Sequence, residues 1–390
     1  MASAAAPGDR RCAACRSAVS AGSFCGFCGS ELAGACTGGR KWLRPRVFAA
    51  APREPITLPL ITSSLCPHLA DTDRVPFRHG LFLALAMLIG VSALKLLPAL
   101  VVLSALGIPL LFVLYLWRSG IYRDVPKRAL LLPPLIGVGL SVTVGLWSAN
   151  LIADSYGIPL AGGFQLREVL DIGFAVTVAD AVLMLVPAVV VRLLRPPSCE
   201  SLDGFLIGAF GALCYASAGT ITWLAPQFTL GLLDNYSRWR LFSEGILYGI
   251  FEPLTAAAVG GMAGILLWFR PARRPGQPRG LRAALALCAV LGVGYYVAIY
   301  AFAAGYNSRI TEAVVNTAIT ALALLTLRVA IQIAVLHEEP DPATGRPVRC
   351  MRCAATVPDM PFCPECGGAA RACARSTRLL RRTPAGDGIG

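Results

Sequence analysis

From position 79 to position 337 the sequence is a succession of apolar runs, each about as long as a helix needs to cross a lipid bilayer. That feature leaves the chain few folds to choose from. A hydrocarbon core of about 30 Å, crossed at about 1.5 Å per residue, takes roughly 20 residues. Runs of this kind lie near 79–96, 98–117, 129–153, 172–194, 203–225, 244–269, 281–304 and 312–336. With 56% hydrophobic and 15% charged residues, the composition agrees with a polytopic membrane protein and an all-α bundle of about eight transmembrane helices. The net charge of +13 does not call for nucleic acid, because membrane proteins gather Arg and Lys on cytoplasmic loops. The opening "MASAAAPGDRR" has no apolar segment, and the first long run begins near His79, so no cleaved signal peptide is expected.

Only "LKLLP", residues 94–98, separates the first two runs, and Lys95 with Pro98 favours a hairpin turn over one continuous helix. Loop charge decides the count. With a cytoplasmic N-terminus and a turn at Lys95, the inner loops carry Arg118, Arg123, Lys127, Arg128, Arg192, Arg195, Arg270, Arg273, Arg274, Arg279 and Arg282. The outer segments hold Lys95, Arg167, Arg238, Arg240 and Arg309. Fusing the first two helices would reverse this asymmetry, against the positive-inside rule. Eight crossings return both termini to the cytoplasm.

Each end of the chain carries four cysteines in the pattern C-x2-C-x9-C-x2-C: Cys12, Cys15, Cys25 and Cys28, then Cys350, Cys353, Cys363 and Cys366. A segment of some twenty residues cannot bury enough apolar surface to fold alone, so a metal or disulfides must hold it. Two Cys-x-x-Cys turns close a tetrahedral zinc site with no position left for water, which predicts two structural zinc ions. Disulfides, an iron-sulfur centre and dithiol redox chemistry use similar residues and stand as alternatives. Gly29 and Gly367 follow the distal pairs, where a turn around the sulfurs calls for positive φ. Cys36, Cys66, Cys199, Cys214, Cys288 and Cys373 show no ligand spacing. The two sets resemble the zinc ribbons at the ends of many bacterial membrane proteins. That resemblance implies a bacterial cell membrane, and the even number of crossings places both sets in the cytosol, where thiols stay reduced.

Small residues recur every four positions at Gly204, Gly208, Ala212 and Ala216, and again at Gly245, Gly249, Pro253, Ala257 and Gly261, as helix-packing stripes do. Ionisable residues inside hydrocarbon carry more information. Asp180 and Glu252 each lie eight residues, about 12 Å, below the outer ends estimated for their helices, with Ser217 near the same level. Arg328 lies closer to the cytosol, but its side chain leans toward its helix N-terminus, on the outer side, and is expected to approach an acid. Such a set is either an internal neutralising cluster or a transport or catalytic pathway.

The stretch "DGFLIGAFGALCYASAG", residues 203–219, resembles the Asp-Gly-x-x-x-Gly helix of PrsW-type intramembrane proteases, with "VADAVLMLVP" (178–187) and "FEPLTAAAVGG" (251–261) falling where that family places its glutamates and its histidine. The likeness covers roughly 172–264. The family's Glu-Glu-x-x-Lys pattern aligns with Ala179, Asp180 and Leu183, its Glu-Asn with Gly219 and Thr220, and no histidine lies between His79 and His337. A metal-activated water needs several ligands and a base. The resemblance therefore implies a degenerate, catalytically silent core.

The chain thus divides into an N-terminal zinc ribbon (1–36), a basic Pro-rich juxtamembrane linker (37–78) with Arg40, Lys41, Trp42, Arg44, Arg46, Phe48 and Arg53, an eight-helix membrane domain (79–337), a C-terminal zinc ribbon (338–368) and a basic flexible tail (369–390) with Arg371, Arg375, Arg378, Arg381 and Arg382. Linker and tail are expected on an anionic lipid surface or in solvent. The function expected is a non-enzymatic scaffold or signalling partner, its ribbons meeting a cytoplasmic or membrane protein. An intramembrane protease using Asp180 and Glu252 and a small-solute transporter are the alternatives.

Overall fold

A computed structural model of the chain describes residues 11–19, 22–32, 48–69, 74–156, 166–194, 200–229, 237–272, 280–303, 309–339 and 346–381. Its helices are α1 (Ile61–Leu65), α2 (Arg74–Ala93), α3 (Leu97–Arg118), α4 (Lys127–Tyr156), α5 (Leu166–Leu183), α6 (Val186–Leu193), α7 (Ser201–Thr229), α8 (Arg238–Ile246), α9 (Glu252–Trp268), α10 (Leu281–Ala303), α11 (Arg309–His337) and α12 (Arg375–Leu380). Among the described residues eight spans are long and apolar enough to cross a membrane, with α5–α6 and α8–α9 each forming one broken span. Their outer faces expose apolar side chains such as Phe82, Leu110, Leu135, Val290 and Ile310, which suits a hydrocarbon surrounding. The protein is a membrane-helix bundle.

The first two helices are separate. Lys95 turns the chain at φ 54°, and Pro98 opens α3, where its missing N–H costs nothing. At the centre α7 and α9 are buried on nearly all sides, while α2 faces outward along most of its length. The central pair is brought together by glycine. A Cβ on Gly208 would stand 2.0 Å from the Gly260 carbonyl oxygen, and one on Gly204 would stand 2.6 Å from that of Gly264.

The second stripe of small residues does not act as one surface. Gly245 and Gly249 face Leu100 and Ser104 of α3, whereas Gly261, the last member of the stripe, faces Phe205 of α7. A π-helical turn at Leu247–Phe251 lies between them, and its extra residue rotates the later positions relative to the earlier ones. A strict period of four across such a turn cannot stay on one face.

Both cysteine modules sit at the same end of the bundle, here termed the capped end. The C-terminal module contains a short hairpin, β1 (Pro347–Arg349) antiparallel to β2 (Thr356–Pro358), with Val348 opposite Val357. Bonds from this region reach the helix ends and the short connections between them. Ser376 N donates to Asp124 Oδ1 (2.8 Å), Arg378 pairs with Glu200, and Arg371 pairs with Glu338 (2.9 Å), which also accepts from Ser201 N (3.1 Å).

Two expected features are corrected here. The described part of the linker is neither a solvated tether nor a lipid-surface strip: Phe48, Ala49, Ala50, Ala51, Leu65 and Cys66 are buried, and Ala49 is held between Gln332 of α11 (N to Oε1, 2.8 Å) and Ala369 N (to its carbonyl, 3.0 Å). The described part of the tail, to residue 381, is also packed, with Ala372, Cys373, Ala374 and Arg378 buried. Carboxylates at the helix ends (Asp124, Glu200 and Glu338) draw this basic segment inward. The basic residues Arg40, Lys41, Arg44, Arg46, Arg195, Arg273, Arg274, Arg279 and Arg382, with Trp42, Cys36 and Cys199, lie outside the described residues.

Candidate metal centres and membrane cavity

The four Cys-x-x-Cys turns are built alike. In each, the amide of the first cysteine donates to the carbonyl five residues on, and the amide four residues on donates back to that cysteine's carbonyl. The residue closing the turn is left-handed: Arg16 (φ 60°), Gly29 (66°), Ala354 (60°) and Gly367 (71°). Glycine at the two distal turns was legible from sequence. Arg16 and Ala354 adopt the same strained conformation without it, which shows that the ligand turn, not residue preference, sets the backbone there.

The turns bring four sulfurs together at each site. Cys12 Sγ lies 3.7 Å from Cys28 Sγ and Cys15 Sγ 3.6 Å from Cys25 Sγ; the corresponding separations are 3.9 Å for Cys350–Cys366 and 3.8 Å for Cys353–Cys363. In each set all four sulfurs lie within 4.8 Å of one another. A tetrahedron with metal–sulfur bonds of about 2.3 Å has edges of about 3.8 Å. A disulfide would require about 2.05 Å. Both groups can therefore hold a metal ion, and among the described residues they are the only such groups.

The modules pair with each other by reciprocal bonds. Phe24 N donates to the Pro364 carbonyl (2.8 Å), and Phe362 N donates to the Gly26 carbonyl (2.9 Å). Phe24 and Phe362 occupy matching places before the distal pair, as do Gly26 and Pro364 within it, so the contact has the self-complementary form of a two-fold dimer inside one chain. The Phe24 ring lies on Gly367, where a Cβ would come within 2.7 Å of it.

Arg328 is not part of an acidic level in the membrane. Its guanidinium, with no solvent exposure, bonds Glu54 Oε2 (3.1 Å), Ser63 Oγ (2.9 Å) and the Pro55 carbonyl (3.2 Å), and it stacks over Phe48 at 4.3 Å. The acid it approaches lies in the segment expected to be a linker. Arg74 adds a second contact to Glu54 at 3.5 Å. Nearby, buried His68 pairs through Nδ1 with Tyr115 Oη (2.6 Å); burial, with Arg378 and Arg352 adding repulsion, lowers its pKa to about 3.

Asp180 and Glu252 do come together. They line one cavity of about 270 Å³ between α4, α5, α7, α9 and α10, in the halves of those helices remote from the capped end. Tyr215 Oη donates to Asp180 Oδ1 (2.5 Å), while Tyr300 and Tyr296 donate to Glu252 Oε1 (2.5 and 3.3 Å). Ser217 bonds its own helix at Leu213 and does not line the cavity. The tyrosines were not singled out from sequence. Their signal was the i, i+4 spacing of Tyr296 and Tyr300, which places two phenols on one face of a membrane helix. Gly219 and Thr220 line the same cavity, whereas Asp203 lies at the capped end and accepts a bond from Glu200 N (2.8 Å), capping α7.

Comparison with protein-family models, curated proteins and solved structures gives no match.

Proposed function

We propose that the protein is a non-enzymatic integral membrane scaffold whose two cysteine modules hold zinc and form one cap on the cytoplasmic end of an eight-helix bundle, most simply in a bacterial cell membrane. The observation carrying this reading is the reciprocal pairing of two closed four-sulfur sites across Phe24, Gly26, Phe362 and Pro364. Zinc is favoured because four thiolates at tetrahedral spacing suit it, and four protein ligands leave the ion no place for water, so its role is to stabilise rather than to catalyse. The paired cap offers a cytoplasmic or membrane protein one compact surface; nucleic acid does not enter this reading.

Within the bundle, the PrsW-type resemblance is kept as a proposal of a silent core. Asp180, Gly219 and Thr220 occupy aligned positions and line one cavity, which supports shared architecture. Gly219 and Thr220 lack the family's side chains, Asp180 has a shorter acid than the family's glutamate, and Asp203 serves as a helix cap. Membrane extracts overproducing the protein are expected to leave a single-span test substrate uncut; cleavage lost on Asp180→Asn would overturn the silent assignment. Metal analysis of purified protein should find about two zinc ions per chain. Tags at both ends should be protected in right-side-out vesicles; an exposed tag at either end would remove the shared cytoplasmic cap. The cavity favours a second reading, small-solute transport, in which proteoliposome flux would disappear on Glu252→Gln.

A further inference from the structure

The membrane cavity carries an inference that depends on neither catalysis nor transport. Glu252 is 3% exposed, and its two carboxylate oxygens are treated differently. Oε1 accepts from two tyrosines, whereas Oε2 is buried without a hydrogen-bond partner. The neighbouring Thr220 hydroxyl gives its proton to the Ala216 carbonyl (3.1 Å). A buried acceptor left open is costly, so the site is incomplete by itself. The π-helical turn that ends at Phe251 sets the orientation of Glu252 and brings Tyr248 to the same wall, and such turns recur at functional sites.

We propose that this cavity binds a small protonated amine, an alkylammonium ion whose N–H groups meet the open oxygen of Glu252 with Asp180 nearby. The lining selects that chemistry. A carboxylate oxygen only accepts, so its partner must donate. Tyr215, Tyr248, Tyr296, Tyr300 and Trp223 supply aromatic surface that favours a cation with an alkyl body. An anion would meet two acids, and a neutral alcohol would bring a single weaker donor. A bare metal ion is disfavoured because hard cations take six or more oxygens, while three phenols here already spend their protons on the carboxylates. At about 270 Å³ the space lies near the lower end of small-molecule sites, which begin around 300 Å³.

The test is calorimetry and thermal unfolding on the full chain in lipid nanodiscs, without any gradient, so its result is separate from flux. Butylammonium is expected to bind saturably and raise the unfolding midpoint, while butyrate and butanol do neither. Glu252→Gln should weaken butylammonium at least tenfold, and Asp180→Asn should weaken it several-fold. Should Glu252→Gln fail to fold, the probe comparison on the unaltered protein together with Asp180→Asn still decides. No saturable butylammonium binding, equal binding of butanol, stoichiometric displacement by magnesium, or undiminished binding in Glu252→Gln would each overturn the proposal.

Discussion

Arg328 and Glu54 illustrate how a single buried charge organises its surroundings. The guanidinium lies on α11 at the capped end, fully buried, so the segment before α1 must fold against it to supply Glu54, Ser63 and a carbonyl. Removing one partner of such a pair leaves a desolvated charge, which costs about 3–5 kcal/mol. Glu54→Ala is therefore expected to lower the thermal midpoint in detergent strongly, with a loss of about 3 kcal/mol, while Arg328→Met combined with Glu54→Leu loses less than the two single losses summed, Arg74 being deprived of Glu54 in both. A double-variant loss equal to the sum of the two single losses would show that the pair is not coupled. At Gly208 the constraint is steric. With the Gly260 carbonyl 2.0 Å from where a Cβ would lie, Gly208→Leu must separate α7 from α9 and is expected to cost about 1–3 kcal/mol or more. An unfolding midpoint unchanged by that substitution would mean that the close helix contact is absent.

Among the elements, the two cysteine modules depend on each other. Each amide that crosses between them comes from the residue preceding a ligand cysteine, so the backbone that shapes one site is hydrogen-bonded to the backbone of the other. Because metal binding and local folding are one equilibrium in modules this small, loss of one site should weaken the second. A Cys25→Ser, Cys28→Ser variant is expected to lose its own ion and to release the remaining one to a chelator several-fold faster than the unaltered protein. A remaining site that exchanges at the original rate would make the modules independent. The broken span α8–α9 shows a second lesson of this scale: one π turn divides a stripe of small residues between two partner helices and orients Glu252 toward the cavity.

At the scale of the whole molecule, the cap and bundle share buried polar groups, which makes their union sensitive to acid. His68 sits under the cap, and its pKa falls from 6.5 to about 3 because burial disfavours the charged ring. A lowered histidine pKa means that the unfolded chain binds the proton first. The stability contributed by His68 is complete above about pH 6.5 and is lost as the pH falls toward 3. Acidification across that window is expected to destabilise the protein by a few kcal/mol more than it does His68→Asn, the carboxylates being common to both. Parallel pH profiles for the two proteins would sink this assignment.

What the chain's own sequence determined follows from local physics. Apolar runs of bilayer length specify the helices, Lys95 and Pro98 specify the turn that makes eight of them, and two cysteine spacings specify two four-sulfur sites. Each of these needs only residues close together in the chain or a rule that acts on every membrane helix. Even the shared acidic level of Asp180 and Glu252 was legible, because helix rise converts residue count to depth. The partners were not. That Arg328 meets Glu54, that the described parts of the linker and tail are packed against the bundle, and that Phe24 pairs with Phe362 across the modules are contacts between residues hundreds of positions apart, or between segments whose composition reads as solvent-exposed. Buried charges and unpaired backbone amides take whichever complementary groups the packed helices bring within reach, and only the tertiary structure decides which those are.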